Sequence, residues 1–180
     1  MRVCSLFAVA CVVAFAQGPV KVVKQSEPEK ALLFEVTIPA PRAAVWRAFA
    51  TSDGLSTWLA PRAVVDLRNG GEWTALYPGG GTGGGTIISF VPEQAITLAA
   101  LAPEQFPTVR ATRTTATFKF VADGDSTIVR LVQSGWKKGE EWDRAFDYLA
   151  KGNAQLLETL RQRFVSGPIN WANEFGAPKK

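Results

Sequence analysis

The segment EEWDRAFDYLAKGNAQLLETLRQRF, residues 140–164, decides the fold. Its large apolar side chains Trp142, Phe146, Leu149, Leu156, Leu160 and Phe164 recur at steps of four and three, and Asn153 stands where the same stripe calls for one more. That period sets all seven along one face of a single long helix. Asp143 and Asp147 flank the stripe beside Arg144 and Lys151, so the two carboxylates read as a solvated face rather than as an acid–base pair.

Upstream of this helix the chain alternates in the manner of a sheet. Strands are expected over 63–66, 72–77, 86–91, 95–101, 112–121 and 127–134, separated by Asn69-Gly70-Gly71, a glycine run, Pro92-Glu93, a proline-containing loop and Asp123-Gly124. Connections this short make antiparallel neighbours. Further upstream, Leu32 to Ile38 reads as the first strand, stopped by Pro39 and Pro41. Pro41 suits the first turn of a helix carrying Val45, Trp46 and Phe49, and Ser52 or Asp53 is placed to cap a second short helix that Pro61 ends. The order β-α-α-β-β-β-β-β-β-α is an α+β domain over residues 31–165, with a helix packed on an antiparallel sheet. Residues 17–30, polar and containing Pro19 and Pro28, read as a linker, and 166–180 as an irregular tail.

Composition excludes whole classes of chemistry. Among 180 residues there is no histidine, which rules out a Ser-His-Asp or Cys-His centre and any His-ligated metal. The cysteines, Cys4 and Cys11, both lie in a leading segment shaped like a secretory signal: Arg2, then an uncharged apolar run from Val3 to Phe15, then Ala14-Phe15-Ala16 before Gln17. Cleavage after Ala16 is expected, placing the domain in the periplasm or outside the cell. The run is shorter than the roughly 20 residues a membrane span needs, so no integral span is expected after cleavage. A lipoprotein acylated at Cys11 is the minor alternative. The 20 Lys and Arg against 16 Asp and Glu are dispersed, so nucleic acid is not an expected partner, and no metal or cofactor is called for.

The glycine run holds Gly79, Gly81 and Gly84, which formally satisfy G-x-G-x-x-G, but it leads into Thr86-Ile87-Ile88 rather than into a helix able to hold a pyrophosphate. It reads as a flexible hairpin loop. Two polar residues are more informative: Asn153 lies in the helical stripe, and Gln133 alternates with Val129 and Leu131 on one strand. An amide turned inward must be hydrogen-bonded, so each either caps neighbouring backbone or points into a cavity.

Residues 38–49 (IPAPRAAVWRAF), Leu55 to Trp58, Asp66 to Trp73, Ser134-Gly135-Trp136 and the final helix together resemble SRPBCC (START-like, Bet v 1-like) domains, in particular the branch of activator of Hsp-90 ATPase homologues. The resemblance implies a helix-grip: a curved antiparallel sheet wrapped around the C-terminal helix, with a cavity between them that in many relatives holds an apolar molecule. Mapped onto this chain, the cavity wall draws on Trp58, Trp73, Phe118, Gln133, Trp142, Phe146 and Asn153. Relatives often carry a histidine and an aromatic where this chain has Gln133 and Asn153, which implies a more polar pocket. The expected function is non-catalytic binding of a small apolar, lipid-like or polycyclic molecule. The alternatives are a cyclase, aromatase or hydrolase that moves a proton with a buried Glu or Tyr77, and a protein-binding module using the outer sheet face or the tail around Trp171 and Phe175.

Overall fold

The computed structural model describes residues 20–175; the expected signal segment, with Cys4 and Cys11, lies outside them. Alternating burial makes the strands. In β2 (Ala31–Ile38) the side chains of Leu32, Phe34, Val36 and Ile38 turn inward, and in β8 (Ser126–Ser134) those of Thr127, Val129, Leu131 and Gln133 do. With β1 (Lys21–Gln25), β3 (Arg62–Val65), β4 (Glu72–Leu76), β5 (Thr82–Val91), β6 (Ala95–Ala100) and β7 (Thr114–Asp123) they form one sheet in the order β1-β2-β8-β7-β6-β5-β4-β3. Every pairing in it is antiparallel.

Helices α1 (Arg42–Ala50) and α2 (Ser52–Ser56) follow β2 directly, and α4 (Glu140–Ser166) closes the domain. The long helix packs on β2 and β1, and α1 on β7 and β8, so both cover one face of the sheet. This is the expected helix-grip. Phe49 lies at the centre of an aromatic cluster, with ring centroids 4.9 Å from Trp58, 5.1 Å from Phe118 and 4.9 Å from Phe120. A second cluster sets Trp136 edge-on to Trp142 and Phe146, at 6.4 and 5.0 Å.

Four local expectations need correction. Residues 21–25, placed in the linker, form β1, paired in register with β2 from Lys21↔Glu35 to Gln25↔Ala31. The segment is tied down further by Lys24 to Asp147 (2.7 Å), Lys30 to Asp143 (2.5 Å) and the Glu29 carboxylate accepting from Gly135 N. Its side chains are mostly exposed, so it lacks the apolar alternation by which the other strands are recognised. The proline-containing loop holds a short helix, α3 (Pro107–Thr112).

The cap of α2 is Thr51, whose hydroxyl accepts from Gly54 N, rather than Ser52 or Asp53. Finally, the tail forms α5 (Trp171–Phe175) and docks on α2, with Trp171 Nε1 donating to the Ser56 carbonyl and Ile169 N to Thr57 O. The Trp171 indole is thus engaged by the domain rather than held out for a partner.

The glycine run divides between turn and strand. Pro78 to Gly81 turn the chain, and Gly83, Gly84 and Gly85 pair in β5 with Ala75, Thr74 and Trp73. Gly84, at φ +106°, has no room for a side chain, because a Cβ there sits 2.1 Å from the Trp73 carbonyl oxygen.

Candidate functional site

Alternation along β7 turns Thr114, Ala116 and Phe118 inward, and along β8 it turns Leu131 and Gln133 inward beside them, in the register Ala116↔Gln133 and Phe118↔Leu131. The middle turns of α4 supply Tyr148, Leu149, Gly152, Asn153 and Leu156. Between helix and sheet lies a cavity of about 480 Å³, within the range of small-molecule sites. Trp73, Leu98 and Phe118 give it apolar walls, and Tyr77, the end of the glycine run and the 101–105 loop form its rim.

One end of this cavity is polar. Asn153 Nδ2 donates to Gln133 Oε1 at 2.7 Å, and Gln133 Nε2 donates to Thr114 Oγ1 at 2.7 Å. Trp136 Nε1 donates to the Gln133 carbonyl at 2.9 Å. Gln133 and Thr114 are buried and Asn153 is half-buried. Burying an uncompensated amide costs about 1–3 kcal/mol by protein measurements; here both heavy atoms of the Gln133 amide are bonded. Asn153 Oδ1 accepts nothing from the described residues, which leaves hydrogen-bonding capacity on a side chain that lines the cavity.

The rim is braced from two sides. Arg110 donates to the Ala102 carbonyl (2.5 Å) and to Thr82 Oγ1 (2.9 Å), joining the 101–105 loop to the start of β5. The Glu141 carboxylate of α4 accepts from Thr108 N, Thr108 Oγ1 and Val109 N, capping the first turn of α3. The Thr108 hydroxyl is the main cause that holds the Glu141 carboxyl below the ordinary carboxylate range, with the two amides adding to it. Burial pushes the Tyr77 phenol up, although 36% of that residue stays exposed at the rim. The phenol is thereby a weaker acid than an ordinary tyrosine, which is itself protonated at neutral pH.

Of the seven residues expected in the wall, Trp73, Phe118, Gln133 and Asn153 line the cavity. Trp58, Trp142 and Phe146 do not. Trp58 is fully buried behind Phe49, with its indole N–H on the Ala48 carbonyl. Trp142 and Phe146 lie in the first turns of α4, where they pack on Trp136, and Lys30 Nζ sits 4.6 Å from the Phe146 ring centroid. A 27-residue helix is roughly 40 Å long. Its stripe is continuous, but only its middle faces the cavity.

The carboxylates in or beside strands are elsewhere. Glu35 bonds Arg130 and Lys21 on the outer face, Asp66 pairs with Arg68, and Glu72 is exposed. Glu104, on the exposed loop, is the one charged side chain among the described residues of the wall. No cluster of three or more metal-ligating side chains occurs among the described residues, and no described helix is long and apolar enough to cross a membrane. Thr114 and Gly152 escaped the sequence reading. Alternation two residues back from Ala116 points to Thr114, whereas Gly152 interrupts no pattern that would mark it.

Solved structures share this fold. The protein MLL2253 from Mesorhizobium loti is 21% identical, with 78% of this chain and all of that one covered and a TM-score of 0.65. The Aha1 dimer from Colwellia psychrerythraea is 17% identical over 76% of this chain and 97% of its own, at a TM-score of 0.62. CalU16 from Micromonospora echinospora is 18% identical over 84% and 85%, at 0.60. These likenesses show the fold. No curated protein matches the chain in sequence. The family model for Activator of Hsp90 ATPase homolog 1-like proteins matches residues 39–164, a span running from the end of β2 through all but the last residues of α4, and the chain therefore belongs to that family.

Proposed function

We propose that this protein is an exported binding protein for a small, neutral, largely apolar molecule carrying one hydroxyl or carbonyl group. The observation that carries the reading is the amide chain at one end of an otherwise apolar cavity. Apolar walls supply affinity in proportion to the surface they dehydrate, and a few placed polar groups set orientation. No Lys or Arg lines the described wall, so a carboxylate or phosphate gains no counter-charge inside and is disfavoured by desolvation. A neutral group is not. Each amide can also be turned over, so the chain runs from Asn153 to Thr114 or from Thr114 to Asn153 and offers the ligand an acceptor or a donor.

Native mass spectrometry of the protein isolated from its host's envelope tests this. The expected result is a chain beginning at Gln17 with one stoichiometric neutral molecule. A bare chain that also fails to bind N-phenyl-1-naphthylamine refutes the binding function, and a mass retaining residues 1–16 refutes the processing.

A second reading, cyclase-like chemistry in the same cavity, is favoured by one observation: Tyr77 lines the rim of the cavity, where its phenol, protonated at neutral pH as tyrosine ordinarily is, can donate a hydrogen bond to a substrate carbonyl. Turnover of a bound molecule that Tyr77→Phe abolishes without weakening its binding supports this reading. An equally active Tyr77→Phe variant removes it.

A further inference from the structure

Gly152 sits in the middle of α4, where glycine is a poorer helix residue than any but proline. Elsewhere in regular structure the protein explains its glycines. A Cβ at Gly85 lies 2.2 Å from the Ala99 carbonyl oxygen, and one at Gly83 lies 3.3 Å from the Tyr77 ring. At Gly152 a Cβ meets nothing within 4 Å, and the backbone there is ordinary right-handed helix. Neither crowding nor conformation requires glycine. Tyr148 and Leu156, one turn to either side on the same face, both line the cavity, as does Gly152 itself, which is exposed.

We infer that Gly152 is a specificity-determining residue: the space left by its missing side chain sets the width of the cavity's mouth, and so the breadth of the ligand admitted. The inference rests on the binding function proposed above. A Cβ at this position projects from the helix between Tyr148 and Leu156, with no neighbouring atom within 4 Å. A side chain built on it therefore narrows the entrance.

The test uses the full processed chain, N-phenyl-1-naphthylamine fluorescence and thermal unfolding. Gly152→Ala is expected to raise the melting temperature by about 2–4 °C through helix propensity. Gly152→Phe, with Gly152→Leu as its substitute if the phenylalanine variant does not fold, is expected to weaken the probe about tenfold or more. Lys151→Phe, an exposed neighbour outside the wall, is expected to leave probe affinity unchanged. A folded Gly152→Phe variant with wild-type affinity overturns the inference, as does a Gly152→Ala variant less stable than the parent. Failure of the wild-type protein to bind the probe is a different result, which removes the binding function itself and this inference with it.

Discussion

Replacing Gln133 by methionine tests whether the amide chain holds the cavity's polar end together. The substitution keeps the side chain's length and removes both the carbonyl and the NH2 of the amide, which breaks the 2.7 Å bonds to Thr114 and Asn153 at once. Thr114 is 3% exposed, so its hydroxyl loses its side-chain partner in a place water does not readily reach, at a cost of about 1–3 kcal/mol. Asn153 is only half-buried and can turn to water in the cavity, so its loss adds little. The net expectation is a destabilisation of about 1–3 kcal/mol, or ~2–4 °C in melting temperature for each kcal/mol in a chain of this size.

The decisive comparison is the double variant. Thr114→Val alone also strands an amide. Combined with Gln133→Met it removes both partners of the bond and leaves apolar groups of similar shape, which is close to neutral. Urea unfolding followed by circular dichroism, with tryptophan fluorescence as a second probe, is therefore expected to give a coupling energy of about 0.5–3 kcal/mol, the double variant being less destabilised than the sum of the singles. Strictly additive singles, or a Gln133→Met variant as stable as the parent, refute the reasoning.

Arg113 links α3 to β7 at φ +69°, ψ 151°, a conformation costly for a residue with a side chain. Arg113→Gly is expected to stabilise the protein by about 1 kcal/mol after glycine's own entropic cost, and Arg113→Val to destabilise it, both read by urea unfolding. The Glu141 carboxyl is held below its ordinary range by the hydroxyl and amides of the first turn of α3. Its contribution is therefore complete above the unfolded carboxylate pKa and is lost as pH falls through the lower folded value. Hydrogen exchange of Thr108 and Val109 amides is expected to lose protection on acidification below about pH 4, and in Glu141→Gln that step is expected to disappear. Unchanged protection across that range in the parent protein counts against the cap.

Much of the fold was legible because it is written in short-range periodicity. The stripe from Trp142 to Phe164 repeats at helical spacing, and Leu32 to Ile38 and Thr127 to Ser134 alternate, since one face of each element is buried against a single core. The misses share a cause. β1 has no buried face to imprint a pattern, and the first turn of α3 is capped by a carboxylate 33 residues away in sequence. Neither signal is local.

The site divides along the same line. The inward turn of Gln133 and Asn153 could be read from alternation and stripe position, because burying a polar group breaks a pattern that apolar neighbours define. That the two amides meet each other and Thr114 depends on how far along α4 the sheet curves up to meet it, which is a property of strand register and helix docking. The same geometry separates Phe146 from Leu149: both lie on one stripe, one helical turn apart, yet Phe146 packs on Trp136 and Leu149 lines the cavity. Sequence alone determined which side chains leave water, since hydrophobic burial follows from residue type and period. The tertiary structure alone decided which of them pack against one another and which border an empty space, since a cavity is made by surfaces from several distant segments that fail to fill it.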